Sequence, residues 1–396
     1  MFVTEQKIIN QLLKYKFYIV LLLVSLLALY VRLCLFPFQS YDFNTFLNPW
    51  YNQISAQGGI RALKSQVGNY GITYQFIISL FTYLPGKSIF WYKALSVFFD
   101  YILAITGGLI VINFQNTQKK KKFLFVYSII LFIPTIIMNS GMWAQCDSIY
   151  ASFLLLSILS LLKNKNKLAF VYLGIAFAFK LQSIFIVPFF LLYYLMNKKF
   201  SIFYFFLSLL SFYVCCLPGI IMGRSIFAPF EIYFGQTNET RINLNIPNFS
   251  GLLTTSSIMK NISTYEMLRN FLICITLVVL LLVYLFILNN KQLLTNQEML
   301  IIATWTCWTC VMFLPSMHER YMYVADVLLI LMACISRKFF VNAVIAVFVS
   351  YMTYLFALLD AHISISNLSL LALANYIMFS ALIFLDANKL SIKYKI

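Results

Sequence analysis

The chain has 396 residues, of which 62% are hydrophobic and only 10% are charged. An ordinary soluble domain carries about 25% charged residues, so this composition excludes a soluble globular protein. Long apolar stretches without the period-two alternation of a barrel predict an all-α, polytopic transmembrane protein, in which each crossing satisfies its own backbone hydrogen bonds.

The net charge of +17 would suit a nucleic-acid-binding protein, but the placement of the charges does not. Eighteen of the 29 basic residues, with only three acids in or beside them (Glu5, Glu298 and Asp386), lie in every second connecting segment: 1–16, 117–122, 163–167, 198–199, 291, 337–338 and 389–396. The alternate segments carry seven basic and seven acidic residues. Because cytoplasmic loops hold the excess of Lys and Arg, we expect both termini in the cytoplasm. The usage of Ile, Lys, Phe and Asn favours a bacterial cytoplasmic membrane.

The apolar runs predict about twelve crossings in a single transmembrane domain over 1–396. In chain order the runs are 17–36, 89–114, 123–139, 148–162, 168–196, 200–222, 269–290, 298–316, 321–336, 339–357 and 367–387. Lysines flank both ends of 168–196, so this run is predicted to be two short helices that meet near Lys180–Ser183. The first and second outer loops are 37–88 and 223–268. Within the first, 72–84 is predicted to be interfacial or re-entrant.

Asp42 stands six residues past the first predicted helix. The apolar residues after it recur at spacings of three and four, which predicts an amphipathic helix on the membrane surface that ends at Gly58 and Gly59: Phe43, Phe46, Leu47, Trp50, Tyr51 and Ile54. Asp42 is either its N-cap or a functional carboxylate on the membrane boundary. Ser40 is an equally good cap and Arg32 is a lone cation nearby, which favours function.

A second polar motif follows Pro134 and Gly141, at the predicted outer mouth between two helices. Trp143, Gln145 and Asp147 are expected to face the same wet surface there. A Trp alone at the membrane interface is ordinary. A Trp with Gln and Asp at spacings of two is more typical of a sugar-binding edge.

Lys180 lies twelve residues into the apolar run 168–196. A charge at the bilayer centre costs about 2.5 to 3.5 kcal/mol on insertion scales, so we expect Lys180 to face a polar cavity. A lysine is a compact cation that suits phosphate, and Gln182 adds amide donors. The alternative is that Lys180 snorkels or pairs with an embedded acid such as Asp100.

Three ionisable residues stand side by side between apolar runs: His318, Glu319 and Arg320. One alternative is a tight turn closed by a pair between Glu319 and Arg320. Three in a row exceed what a turn requires, which favours function. The only other histidine, His362, is distant in sequence and no HExxH spacing exists, so a zinc site is not expected.

The order of these motifs resembles that of the GT-C superfamily, integral membrane glycosyltransferases that take a sugar from a polyprenyl-phosphate carrier. The resemblance spans about 30–325. It is carried by an acid in the first outer loop, then Asn69-Tyr70, Trp143-Ala144-Gln145-Cys146-Asp147, Phe179-Lys180-Leu181-Gln182 and His318-Glu319-Arg320. Within the superfamily the chain resembles bacterial relatives of the dolichyl-phosphate glucose enzymes, which have His-Phe-Gln-Tyr-Asn, Tyr-Lys-Gln and His-Glu-Lys at the comparable positions. Trp143 and Asp147 replace a His and an Asn, and Gly71-Ile72 stands where the relatives have Tyr-Pro-Pro.

This resemblance implies that Asp42 is the general base for an acceptor hydroxyl and that transfer inverts the sugar. A phosphate leaving group needs cationic stabilisation, which the resemblance assigns to Lys180, Gln182, Arg320 and His318. It assigns contacts with sugar and acceptor to Trp143, Gln145, Asp147, Glu319, Tyr70 and Asn69. No cofactor is expected. Some branches of the superfamily use a metal, which Asp42 and Asp147 would share.

The expected partners are membrane lipids, a polyprenyl-phosphate sugar donor and an acceptor that is a glycan, a lipid-linked sugar or a protein. A lipid-linked sugar flippase or exporter is the alternative from another class, because it also needs buried charge but no base. Internal symmetry would favour it, and the sequence shows none. A polysaccharide polymerase is a nearer alternative.

Overall fold

The computed structural model describes residues 3–236, 239–253, 262–290 and 293–393. Two predicted features lie partly outside the described residues. These are the second loop, at 237–238 and 254–261, and the basic segments, at 1–2, 291–292 and 394–396. The described chain is all-α apart from one pair of short strands, β1 (Asn243–Leu244) and β2 (Met317–His318). Its α-helices are α1 (Val3–Leu35), α2 (Asn48–Ala56), α3 (Ile72–Phe81), α4 (Ser88–Ile112), α5 (Lys119–Phe132), α6 (Pro134–Ile137), α7 (Asp147–Leu162), α8 (Asn166–Phe179), α9 (Val187–Asn197), α10 (Tyr204–Ile221), α11 (Ala228–Gln236), α12 (Phe249–Leu253), α13 (Ile262–Asn290), α14 (Asn296–Phe313), α15 (Tyr323–Ile335), α16 (Phe340–Leu359) and α17 (Ile365–Lys393).

Six helices among the described residues are long and apolar enough to cross a membrane: Asn10–Leu35, Ser88–Ile112, Tyr204–Ile221, Thr264–Asn290, Arg337–Leu359 and Ile365–Ile383. A pair bent by 57° at Pro134, Lys119–Phe132 with Pro134–Met142, would be a seventh. Five more apolar helices have 10–17 residues, and at 1.5 Å per residue they fall short of a core about 30 Å thick. Helix length supports a multi-pass helical protein and does not confirm the count of twelve crossings.

The predicted break in the run 168–196 is confirmed. Lys180 has an extended backbone (φ −149°, ψ 138°) between the end of α8 and a 3₁₀ segment, Leu181–Ile186, that leads into α9. The break exposes backbone groups that a continuous helix would satisfy, and Pro188 at the start of α9 cannot donate to the preceding turn. The lysine is therefore placed at an interruption, where its side chain leaves the helix.

The helix after Asp42 lies where it was predicted, as a π-helical turn, Phe43–Leu47, continued by α2. It ends before Gly58, whose φ of +82° is left-handed and suits a glycine. The predicted apolar face is only partly turned outward: Phe46 is 42% exposed and Trp50 is partly buried. Phe43, Leu47, Tyr51 and Ile54 are buried within the protein. The rings of Phe43 and Tyr51 contact Tyr92 of α4, and the Tyr51 hydroxyl donates to the Phe81 carbonyl of α3.

The run after this helix forms α3, which has 10 residues and therefore a length of about 15 Å. That is too short for a straight crossing. The buried Gln75 of α3 donates to the carbonyls of Ala62 and Ser65, so the helix is fastened to its own loop.

Strands β1 and β2 join the second loop to the His-Glu-Arg segment. They pair in parallel, with Asn243 opposite Met317 and Leu244 opposite His318. The Glu319 amide donates to the Leu244 carbonyl at 3.0 Å and the Ser316 amide to the Ile242 carbonyl at 2.7 Å. Because strand pairing sets the position of each residue along its neighbour, the second loop fixes where His318, Glu319 and Arg320 point.

Candidate functional site

Asp42 is not a helix cap. Its side chain makes no capping bond, and the Ser40 hydroxyl accepts the Phe43 amide at 3.2 Å instead. The Asp42 carboxylate has 28% of its side chain exposed and lines a cavity of about 1130 Å³. The capping alternative is therefore removed, and the carboxylate is available to a ligand in this cavity.

Two side chains of the second motif hold that carboxylate. Trp143 Nε1 and Gln145 Nε2 each donate to Asp42 Oδ2 at 2.9 Å. Tyr70 donates its hydroxyl to Gln145 Oε1 at 2.9 Å, which turns the amide so that its NH₂ group faces Asp42. The two hydrogen bonds to Asp42 join residues about one hundred positions apart in sequence.

The irregular backbone before α7 makes this possible. A π-helical turn, Met138–Met142, precedes Trp143, and Ala144 has a left-handed φ of +63°. Amides of Trp143 and Gln145 donate to the carbonyls of Met138 and Asn139 at 2.8 and 3.0 Å. Uncommon backbone conformations such as that of Ala144 cost of order 1–3 kcal/mol each and cluster at functional sites.

Arg320 lies between the carboxylates of the site. Its Nη1 is 2.8 Å from Glu319 Oε1 and 3.9 Å from Asp42 Oδ2, and its Nε is 3.7 Å from Asp147 Oδ2. The guanidinium also stands 5.4 Å from the centre of the Trp143 ring. Arg320 thus supplies positive charge at the place where a metal shared by Asp42 and Asp147 would lie.

The ionisation of this cluster follows from its neighbours. Burial alone would lower the pKa of Arg320, but the carboxylates of Glu319 and Asp147 raise it well above its usual value. Burial would raise the pKa of Glu319, yet its bond with His318 and the charge of Arg320 lower it overall. Both side chains therefore stay charged near neutral pH.

Lys180 and Asp147 form a buried ion pair. Lys180 Nζ is 2.5 Å from Asp147 Oδ1, and Asn139 Nδ2 donates to Asp147 Oδ2 at 2.8 Å. Asp147 is fully buried and Lys180 is 7% exposed. The expectation that Asp147 faces the same wet surface as Trp143 is wrong, because its carboxylate is turned inward to these partners. The alternative that Lys180 pairs with an embedded acid is therefore confirmed, with Asp147 and not Asp100 as its partner.

Asp100 has a different partner. Arg32 Nε donates to Asp100 Oδ2 at 2.8 Å, with both side chains fully buried, and the Ser140 hydroxyl donates to the same oxygen at 2.6 Å. Arg32 is therefore not a lone cation, and that reason for assigning function to Asp42 does not hold. The assignment now depends on the geometry of Asp42 itself.

A second cavity of about 550 Å³ borders the segment that carries Tyr70, which also lines the first cavity. Lys180, Gln182 and Tyr321 line it, with Glu231 and Gln236 of α11. Six residues line both cavities: Asn69, Tyr70, Glu239, Leu244, His318 and Arg320. Every candidate from the sequence analysis therefore borders one of the two cavities, except Asp147, which lies beneath them.

Sequence reasoning missed Lys93 of α4. It is fully buried, and its Nζ donates to the carbonyls of Leu35, Phe36 and Phe38 at 3.1, 3.1 and 2.6 Å. Leu35 is the last residue of α1, whose final carbonyls have no partner within the helix, and Phe36 and Phe38 follow it. A lysine inside an apolar run was the signal that identified Lys180, and the same signal applies to Lys93.

Two further residues were missed: Arg224, a buried arginine in the turn after α10, and Asn139, which holds Asp147. Asn139 is fully buried and also donates to the Tyr354 hydroxyl at 3.0 Å. A polar residue near the end of an apolar run carries no spacing signal, so its role in holding Asp147 is visible only in three dimensions.

Comparison of the chain with protein-family models and with curated proteins finds no match. Within the described residues, no three His, Cys, Asp or Glu side chains form a group that could hold a metal ion.

Proposed function

We propose that this protein is an integral membrane glycosyltransferase of the GT-C type, which transfers a hexose from a polyprenyl-phosphate donor to an acceptor hydroxyl with inversion. The observation that carries the proposal is the Asp42 carboxylate, held by two donors at the edge of the larger cavity and close to a buried guanidinium. A carboxylate fixed in this way has the geometry that a general base needs.

The chemistry follows from the two oxygens of Asp42. Among the described residues, both hydrogen bonds to this carboxylate reach Oδ2, so Oδ1 serves the acceptor. Oδ1 takes the proton of the acceptor hydroxyl as the acceptor oxygen bonds to the anomeric carbon. The bond from that carbon to the phosphate oxygen breaks, and the lipid phosphate leaves with the electron pair.

The second cavity suits the phosphate of the donor. Lys180, Arg320 and His318 line it, and cations aimed at developing negative charge are among the strongest catalytic effects. Gln182 adds an amide donor at the same wall. The shared wall at Tyr70 and Arg320 would then place the anomeric carbon between the phosphate in the smaller cavity and Asp42 in the larger one.

The remaining candidates fit the larger cavity, where the acceptor would lie. Trp143, Gln145 and Glu319 line it, and Asn69 and Tyr70 form part of its border with the smaller one. The acceptor is a glycan, a lipid-linked sugar or a protein hydroxyl. In this proposal Asp147 contacts neither substrate and instead holds Lys180 and Arg320 in place.

For this chemistry both loops must lie on the outer face of a cell membrane, with both termini in the cytoplasm. In a variant without the eight native cysteines, single cysteines at positions 61 and 120 test this orientation. We expect a membrane-impermeant maleimide to label position 61 in whole cells and position 120 only after lysis, because Lys119–Lys122 is a cytoplasmic anchor. Labelling of position 120 from outside would overturn the orientation.

The activity is tested with purified protein and synthetic polyprenyl-phosphate hexoses. We expect one of them to lose its sugar to an acceptor, with the anomeric configuration inverted in the product. The control is the same protein with a polyprenyl phosphate that carries no sugar. Movement of intact labelled lipid between the leaflets of a vesicle, without cleavage of the bond to the sugar, would instead identify a flippase.

A further inference from the structure

The wall between the two cavities is a segment without regular secondary structure, residues 65–71. Gln66, Gly68 and Gly71 line the smaller cavity, and Asn69 and Tyr70 line both. Val67 and Gly71 of this segment are buried, and the Tyr70 ring packs against those of Trp50 and Tyr74, with centroids 5.7 and 4.8 Å away. Between these packed residues the backbone is held by hydrogen bonds from side chains, those of Arg224, Gln75 and Gln236 outside the segment and that of Gln66 within it.

Arg224, in the turn after α10, bonds to four oxygens in and beside this segment. Its guanidinium donates to the Leu63 carbonyl at 2.5 Å and to the side-chain oxygens of Gln66 and Gln75 at 2.6 Å each. It also donates to the Ser65 carbonyl. Arg224 is 9% exposed, and each of these acceptors is a neutral oxygen. The planar fork of an arginine can serve several acceptors at once, which a lysine cannot.

The bonds continue from Arg224 to the carboxylate. Gln66 Nε2 donates to the carbonyls of Gly68 and Tyr70 at 2.9 and 2.8 Å. The Tyr70 hydroxyl donates to Gln145, and Gln145 donates to Asp42, each at 2.9 Å. An unbroken series of contacts thus runs from the second loop, through the wall between the cavities, to Asp42.

We propose that Arg224 is a positioning residue that fixes the wall between the two cavities and, through Gln66, Tyr70 and Gln145, the orientation of the Asp42 carboxylate. The proposal rests on the function proposed above. Arg224 lines neither cavity among the described residues, so it acts through the wall and not by contact with a substrate.

The kinetic test compares Arg224→Met with Arg224→Lys. We expect Arg224→Met to lower kcat by about 10- to 100-fold, because misplacement by about 1 Å can cost that much, while KM for the donor changes less than threefold. Arg224→Lys keeps the charge but not the fork and should recover only part of the rate. Arg61→Met, at an exposed arginine of the first loop, which also carries the segment 65–71, is the matched control and should behave like the parent.

The route through Gln145 is tested by combining variants. If Arg224 acts through Gln145, the double variant Arg224→Met/Gln145→Ala should be about as slow as Gln145→Ala alone, since coupled residues give non-additive effects. If the loss of kcat in the double variant is instead the product of the two single losses, this route is overturned. If Arg224→Met does not accumulate as folded protein, Gln66→Met removes the next contact and should show the same loss of kcat. A parental rate in Gln66→Met would overturn the proposal.

A measurement without substrate separates this proposal from the proposed function. Hydrogen exchange of the amides of 65–71 in detergent-solubilised protein should be at least tenfold faster in Arg224→Met than in the parent and in Arg61→Met. Unchanged exchange overturns the role of Arg224 whatever reaction the protein catalyses. Faster exchange in a protein that transfers no sugar would sustain the fixed wall and reject the glycosyltransferase.

Discussion

Asp42→Asn is expected to express and bind donor like the parent, yet to transfer sugar at no more than about a hundredth of the parental rate. General-base catalysis is usually worth about 10²- to 10⁴-fold, and an amide cannot accept the proton. Its oxygen can still accept from Trp143 and Gln145, so the variant keeps the bonds that place this side chain. The measurement is single-turnover transfer, with donor binding followed separately.

The control for this variant is Glu266→Gln, at an exposed carboxylate in the first turns of α13. It makes the same chemical change away from both cavities and should leave the rate unaltered. Near-parental turnover in Asp42→Asn would remove Asp42 from the mechanism. Glu319 would then be the next candidate, since it lines the larger cavity, whereas Asp147 is buried against Lys180 and offers no access to an acceptor.

The local features of this fold were predictable from sequence because they depend on nearby residues. Lysines at both ends of an apolar run require the chain to return, and the break at Lys180 was placed correctly. The spacing of apolar residues after Asp42 located the helix that follows it. Which side of that helix faces the protein was not predictable, because a stripe that packs on α3 and α4 has the same period as one that lies on lipid.

The pairing of charges was not predictable for a different reason. Lys180 and Asp147 are 33 positions apart, and Arg32 and Asp100 are 68 apart. Sequence identifies each as costly when unpaired in a membrane, but the choice of partner depends on how the helices pack. The short helices show the same limit, since α7, α8 and α9 are apolar enough to suggest crossings and too short to make them alone.

Lys180→Met separates a structural role from phosphate binding when it is made with and without Asp147→Asn. Removing one partner of a buried ion pair is strongly destabilising, typically by about 3–5 kcal/mol, because a charge is left without compensation. We expect Lys180→Met alone to lower the melting temperature. The double variant, which leaves no unpaired carboxylate, should recover most of that loss.

Donor binding should follow a different pattern from stability. Lys180 lines the smaller cavity, so its charge is missing from the phosphate site in both variants, and both should bind the donor at least tenfold more weakly than the parent. The matched control is the other buried pair, Arg32→Met/Asp100→Asn, which borders neither cavity in the described chain. Once folded, that control should bind the donor like the parent. If the Lys180→Met/Asp147→Asn protein is stable and binds the donor with parental affinity, Lys180 serves only to neutralise Asp147, and the phosphate must depend on Arg320 and His318.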